Sequence, residues 1–153
     1  MIFRGFSRTF STKNGEQFRT IGEYWDRMAA LYGRDHLRGL GYDWTAESLA
    51  YAIGLKSNAP FDLDAADAEL CWKEVPLPDT GWAEYAGRTD DLAALYDEIY
   101  RDGPLTYEIE EFAGDGSCTI RITRDQAKRN GKQESAGSIN GPKVRPKIDS
   151  EVP

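Results

Sequence analysis

Residues 81–103 contain the feature that most limits what this chain can fold into: a short alternating segment that runs directly into an amphipathic helix. Residues 82–87 alternate in character, as a strand with two different faces does. Gly103 is typical of a helix C-terminus, and Pro104 cannot continue the helix. Because an apolar helix face must be buried, this unit predicts a helix packed on a sheet. That face consists of Leu92, Leu95, Tyr96 and Ile99.

This unit and the two strands after it have the same predicted order, strand, helix, strand and strand, as the part of the chain before it. A T-x-x-E capping box at Thr20 and Glu23 predicts the start of an earlier helix. Residues 34–47 are interrupted by glycines, and this composition predicts a loop. The remaining predicted elements are strands at residues 2–10, 48–55, 69–75, 106–112 and 117–124, and the earlier helix at residues 20–32.

This order predicts an α+β fold of duplicated β-α-β-β units, with repeat 1 in about residues 1–76 and repeat 2 in about residues 80–124. Two such units can pair about a pseudo-two-fold axis, with two helices behind one antiparallel sheet and a ligand cleft between the halves. We expect strand 82–87 to lie at the join. Trp82 and Tyr85 lie on opposite faces of that strand, so only one of them should face the cleft.

The charge distribution divides the chain into two parts. The formal net charge is −7, and residues 125–153 hold six basic and four acidic side chains, which leaves −9 for residues 1–124. This negative charge on residues 1–124 disfavours direct nucleic-acid binding, because such binding uses Lys and Arg to neutralise phosphates. Residues 125–153 are polar and lack periodicity, so they are predicted to form a disordered tail.

The sequence predicts no metal ion and no cofactor. Cys71 and Cys118 are far apart, and His36 is the one histidine of the chain, so a zinc site has too few ligands. The chain shows neither a signal-peptide pattern nor an apolar run long enough to span a membrane, which favours a cytoplasmic protein without a membrane partner. The sequence leaves open whether it is a monomer or a dimer.

Four segments within residues 1–124 carry a family resemblance: RTFSTKNGEQFRTIGEYWDRM, GYDWTAESLAYAIGLK, EVPLPDTGWAEYAGRTDDLAALYDEIY and FAGDGSCTIRITR. In this order they resemble a stand-alone GyrI-like (gyrase-inhibitor-like) small-molecule-binding domain, which is similar to the effector-binding domain of bacterial AraC-type and MerR-type multidrug regulators. The resemblance implies the duplicated fold and a cleft that binds bulky compounds, often cationic and aromatic.

The resemblance also implies aromatic cleft walls, since ring faces attract cations and flat molecules. For any one aromatic side chain, however, packing in the core is favoured over contact with a ligand. The candidate ligand-binding residues are Trp25, Trp44, Tyr51, Trp82, Tyr85, Tyr100, Tyr107 and Arg121.

Acidic residues are the second implied component of the cleft. Many relatives carry an acid in the last strand, whereas this chain has Thr119 and Arg121 at the matching places. Glu84, Glu108 and Glu110 are the candidate replacements, and Glu108 and Glu110 share one face of their strand. We expect all three to be solvated, because acids are seldom buried unless paired. No catalytic residue is assigned beyond these candidates.

Three functions agree with these features. The first is a non-enzymatic protein that sequesters or senses a hydrophobic or aromatic, drug-like molecule, which can be a cation. The second is a hydrolase that opens cyclopropane rings of DNA-alkylating natural products, with a glutamate that positions water. The third is an acidic module that binds a basic protein partner, such as gyrase. The sequence favours binding over catalysis.

Overall fold

The computed structural model describes residues 1–63 and 69–124 of the chain. The fold is α+β, with two α-helices and a seven-stranded antiparallel sheet in these residues, which confirms the α+β class, the antiparallel sheet and the two helices of the prediction. The predicted tail, residues 125–153, lies outside the described residues. In chain order the elements are β1 (Ile2–Ser11), α1 (Gln17–Tyr32), β2 (Leu37–Tyr42), β3 (Ser48–Leu55), β4 (Cys71–Pro76), β5 (Ala83–Arg88), α2 (Leu92–Arg101), β6 (Tyr107–Phe112) and β7 (Ser117–Thr123).

All neighbouring strands pair antiparallel, in the order β4-β1-β3-β2-β6-β7-β5. Both helices lie on one face of this sheet, which we call the helix face. Met28 of α1 belongs to a core cluster with Tyr51 and Phe112, and Ile99 of α2 belongs to a cluster with Ile120. No helix in the described part of the chain is long and apolar enough to cross a membrane.

The loop predicted for residues 34–47 is wrong, because Leu37–Tyr42 forms β2 in the middle of the sheet. Gly39 and Gly41, which suggested a loop, lie on the helix face of this strand. A side chain at Gly39 would overlap the hydroxyl of Tyr51, and one at Gly41 would crowd the ring of Trp44. The glycines therefore make room for two large aromatic side chains rather than interrupt the strand.

The beginning of α1 also differs from the prediction. The helix starts at Gln17, so Thr20 and Glu23 lie inside it and form no capping box. Thr20 instead donates its hydroxyl to the carbonyl of Glu16, and Glu23 forms an ion pair with Arg19. At the other end the helix stops at Tyr32, as predicted, and the C-cap is Gly33, with a φ of 86° and its N–H bonded to the carbonyl of Ala29.

The sequence predicted that β5 lies in the middle of the sheet, at the join between two repeats. This prediction is wrong. Strand β5 is the last strand at one edge of the sheet, and β4 is the last strand at the other. Strands β1–β4 and strands β5–β7 meet where β2 pairs with β6, which we call the β2–β6 join, with Gly39 opposite Glu110 and Gly41 opposite Glu108. Alternation along a strand shows which residues share a face but not which strand lies next to it, so the order of strands had to come from the fold.

The face opposite the helices carries a second apolar cluster. Phe3, Leu40 and Ile109 are buried there beneath Leu77. Leu77 belongs to the segment that connects β4 with β5, so this connection runs from one sheet edge to the other across that face. Trp82, in the same connection, packs on the cluster and donates its indole N–H to the carbonyl of Pro78.

Candidate functional site

A cavity of about 240 Å³ lies on the helix face, between α1, α2 and the strands at the centre of the sheet. Its floor is formed by side chains of β3 and β6, and its walls by the two helices. It therefore lies directly above the β2–β6 join. The cavity is lined by Gln17, Phe18, Ile21, Gly22, Trp25, Asp26, Arg34, Trp44, Leu49, Tyr51, Thr89, Leu92, Tyr96, Tyr100, Glu108, Glu110 and Phe112.

The cavity walls are mostly aromatic. Trp25 packs edge-on against Phe112, with ring centroids 5.0 Å apart, and Tyr96 stacks on Tyr100 at 5.7 Å. Trp25 lies on α1, Tyr96 and Tyr100 lie one helical turn apart on α2, and Phe112 lies on β6 beneath them. Such walls suit a flat or cationic organic ligand.

A chain of hydrogen bonds connects the α1 wall to the floor. The indole N–H of Trp25 donates to the Tyr51 hydroxyl at 2.7 Å, and that hydroxyl donates to Oε1 of Glu110. Burial, followed by the negative charge of Glu110, raises the pKa of Tyr51 well above its ordinary value. Tyr51 therefore stays protonated and keeps Glu110 as its acceptor.

Gly39 leaves the space that this chain of hydrogen bonds needs. It is paired with Ile53 on one side and with Glu110 on the other, so it lies on the neighbouring strand between Tyr51 and the carboxyl. A Cβ at this position would overlap the Tyr51 hydroxyl. The missing side chain lets Tyr51 reach across β2 to Glu110.

Glu108 and Glu110 are buried, with 3% and 5% of their surface exposed, so the expectation that they are solvated is wrong. They share the helix face of β6, as the alternation predicted, and both line the cavity. Burial raises the pKa of Glu110 from 4.5 to about 7, and the hydrogen bond from Tyr51 opposes that rise. Near neutral pH the protonated and ionised forms of the Glu110 carboxyl are therefore both populated.

An ion pair lies at the more exposed part of the lining. Arg34 donates to Asp26 at 3.0 Å, and its guanidinium lies 5.8 Å from the centroid of the Trp25 ring. Among the described residues, the lining holds three acidic side chains, Asp26, Glu108 and Glu110, and one basic side chain, Arg34, so the charged groups of the cavity are predominantly acidic.

The structure brings four of the eight predicted ligand-binding residues into the cavity, namely Trp25, Trp44, Tyr51 and Tyr100. The other four lie elsewhere. Tyr85 packs beside the cluster under α2, whereas Trp82 and Tyr107 pack on the opposite face. Arg121 forms an ion pair with Glu111 at 3.2 Å rather than with Glu108 or Glu110, and Glu84 is exposed on the edge strand β5.

Several lining residues were not predicted as site residues. Gln17 is 9% exposed, and its Oε1 is shielded from solvent with no hydrogen-bond partner among residues 1–63 and 69–124. Gly22 faces the cavity, and a Cβ at this position would meet nothing within 4 Å. Tyr96, on the predicted apolar face of its helix, lines the cavity as well. Residues such as Gln17 and Gly22 carry no sequence signal, because their role depends on the space across from them.

No protein-family model matches the chain, and no curated protein matches it.

Proposed function

We propose that this protein binds a small aromatic cation in the cavity on the helix face, and that it acts by sequestering or sensing that molecule. The observation that carries the proposal is the pair of buried carboxyl groups, Glu108 and Glu110, at the floor of an aromatic cavity. Carboxyl groups below the faces and edges of aromatic rings attract a positively charged organic ligand, because a carboxylate and a ring face both carry negative potential towards it.

The hydrogen-bonding groups support a ligand with donors. The carboxyls of Glu108 and Glu110 and the shielded Oε1 of Gln17 are all acceptors. A protonated amine, amidine or guanidine would supply donors and positive charge together. A cavity of about 240 Å³ is smaller than the ~300–1,000 Å³ of typical drug sites, which favours a ligand of one or two rings.

The finer architecture that the sequence suggested belongs to the same proposal. We infer a duplicated β-α-β-β unit of the GyrI-like kind, in which β1, α1, β2 and β3 correspond to β5, α2, β6 and β7. The strand order supports this, because it reads β1-β3-β2 towards the join from one side and β5-β7-β6 from the other. Strand β4 is then an addition outside β1, which replaces the repeat boundaries expected from the sequence.

Calorimetric titration with a panel of one-ring and two-ring aromatic cations, each paired with a neutral molecule of the same shape, tests the proposal. We expect the cations to bind more tightly, and Glu110→Gln to weaken their binding by at least about ten-fold while it leaves the neutral partners unchanged. Equal affinity for both members of every pair, or no binding at all, would exclude a cation site.

Gly22 offers a test of the location. Gly22→Leu places a side chain in the empty space beside α1 and should abolish binding of cations and neutral molecules alike. Ala30→Leu is the matched control, since Ala30 is exposed on the same helix and outside the lining. If Gly22→Leu binds as well as the unmodified protein, the ligand lies elsewhere.

Binding of a cation should also depend on pH. A positive charge beside Glu110 lowers its pKa, so a proton is released on binding and affinity rises from pH 5 to pH 8. The other charged groups that line the cavity are Glu108, Asp26 and Arg34. Glu110→Gln should flatten the profile, and a profile unchanged by this substitution would assign the pH dependence to one of those groups.

A second candidate function is the hydrolase that opens cyclopropane rings, favoured by one observation. A carboxyl with a pKa of about 7 is well placed to exchange protons at neutral pH, as a residue that activates water must. Turnover of a cyclopropane-containing alkylating agent that Glu110→Gln abolishes, while binding persists, would favour this candidate. Binding without turnover would leave the protein a binder.

A further inference from the structure

The free edge of β5 is the basis of an inference that does not depend on the ligand site. Thr89 donates its N–H to the carbonyl of Gly116 at 2.8 Å, next to the pair Arg88–Ser117 in the β5–β7 ladder. In an antiparallel pair, hydrogen-bonded and non-hydrogen-bonded positions alternate. Gly87 therefore bonds to β7 through its backbone, whereas Arg88 directs its N–H and C=O towards the open edge.

By the same alternation, the backbones of Glu84 and Ala86 also point away from β7. Both residues are exposed, and no strand lies beyond β5 in the described part of the chain. Three residues in one strand therefore present unpaired backbone donors and acceptors at the surface. Such an edge can accept another strand.

The side chains along this edge are complementary to themselves. When two copies of β5 run antiparallel with Ala86 opposite Ala86, Glu84 of each copy lies opposite Arg88 of the other. Opposite charges at directly opposed positions stabilise a strand pair. On the other face, the ring of Tyr85 lies opposite Gly87, which has no side chain to obstruct it.

The edge of β4 does not have this property. Leu77 donates to the carbonyl of Met1, and the alternation then directs the backbones of Trp72, Glu74 and Pro76 outward. Pro76 has no N–H to donate. Antiparallel pairing of two β4 strands about Glu74 would place two carboxylates opposite each other. The contrast between the edges makes β5 the one suited to a second copy.

We propose that two copies of this protein associate through antiparallel pairing of their β5 strands, which joins their sheets into one. The dimer is symmetric about Ala86 and contains two equivalent Glu84–Arg88 pairs. We assign the edge of β5 to a second copy of the chain because one antiparallel arrangement satisfies two conditions. It pairs the outward backbone groups of both strands, and it places Glu84 of each copy opposite Arg88 of the other.

Sedimentation velocity of the full chain, over concentrations from low micromolar to near millimolar, tests this dimer. We expect a reversible monomer–dimer equilibrium. Ala86→Pro removes an N–H that points towards the partner but makes no bond to β7, so it should shift the protein to monomer at every concentration. Circular dichroism that matches the unmodified protein would establish that the variant is folded.

Charge reversal provides a test of the register. Glu84→Arg should weaken the dimer by about ten-fold or more, since both charge pairs become repulsive. The double variant Glu84→Arg with Arg88→Glu exchanges the charges and should restore it. The unfolding temperature of each variant must be measured too, because Glu84 lies opposite Arg121 within the sheet and Arg88 donates to the carbonyl of Asp115.

Three results would overturn the proposal. A monomer at all concentrations would show that the edge is blunted or is covered by another segment, residues 125–153 included. A dimer that survives Ala86→Pro would use a different surface. A dimer lost on Glu84→Arg but not restored by the exchange would place the strands in another register. None of these results bears on whether the cavity binds a ligand.

Discussion

The three candidate glutamates lie in two contrasting regions of the sheet. Glu108 and Glu110 lie on β6 in its centre, under both helices, and are buried. Glu84 lies on β5 at its edge and is exposed. All three occupy strands that alternate in a similar way, so the difference comes from the position of the strand. A carboxyl becomes a candidate site residue here because the fold removes it from water and places aromatic side chains above it.

The largest expected effect separates these two regions by their response to pH. Because the folded pKa of Glu110 is raised, the folded state holds its proton more strongly than the unfolded chain does, and stability falls as pH rises from about 4.5 to about 7. Glu110→Gln should remove this decrease in stability, because glutamine does not ionise. The variant should be more stable than the unmodified protein by about 3 kcal/mol at pH 8, with little difference near pH 4. Urea denaturation at both pH values measures this.

If the difference in the free energy of unfolding between Glu110→Gln and the unmodified protein does not change with pH, then Glu110 is not neutral in the folded state near pH 6. The matched change at the edge, Glu84→Gln, controls for the loss of a negative charge from the surface.

The next effect concerns the space over β2. Gly39→Ala should destabilise the protein by about 1–3 kcal/mol, since its Cβ would overlap a Tyr51 hydroxyl held between Trp25 and Glu110. Gly41→Ala, on the same face of the same strand, meets the Trp44 ring at 3.2 Å and leaves the hydrogen-bond chain intact, so it should cost less. Thermal unfolding of both variants compares the costs. Equal costs would remove the special role of Gly39.

A smaller effect is expected from the hydroxyl itself. Tyr51→Phe keeps the ring but removes the acceptor for the Trp25 indole and the donor to Glu110, which should cost about 1–2 kcal/mol. It should also raise the pKa of Glu110 further, because the hydrogen bond from Tyr51 holds that pKa down. Titration of the Glu110 carboxyl by NMR measures the shift. A fall in its pKa would contradict the assignment of Tyr51 as the donor.

The smallest effect lies at the edge. Glu84→Gln should change the free energy of unfolding by less than about 0.5 kcal/mol at any pH between 5 and 8, as exposed substitutions usually do. Chemical denaturation at a concentration low enough to keep the protein monomeric provides the measurement. A pH-dependent effect as large as that of Glu110→Gln would erase the contrast between centre and edge.

Much of the fold could be predicted from local patterns. The helical face of Tyr96 and Ile99 and the alternation of Cys118, Ile120 and Ile122 are buried as expected. Periodicity is a strong signal because burial of one face imposes it. Leu31 departs from this rule: it follows the buried Met28 of α1 at a spacing of three residues, yet it is 58% exposed.

The site was less predictable. Trp25, Tyr51 and Tyr100 were candidates from the sequence, and the structure places them around one cavity. Trp82, Tyr85 and Tyr107 have the same chemistry but other places in the fold. Gln17, Gly22 and Arg34 had no pattern to mark them, since each lines the cavity only because of what faces it.

The sequence by itself determined the elements around residues 81–103: a strand, a helix with one apolar face, and an end at Gly103. It determined as well that Glu108 and Glu110 share a side of β6, since neighbouring residues of a strand alternate. Only the tertiary structure decided that β5 is an edge, that β2 is a strand, and that two carboxyls lie buried at the join. These three features depend on which strands become neighbours in the sheet. Strand pairing brings together residues that are far apart in the chain, and no local sequence pattern specifies those contacts.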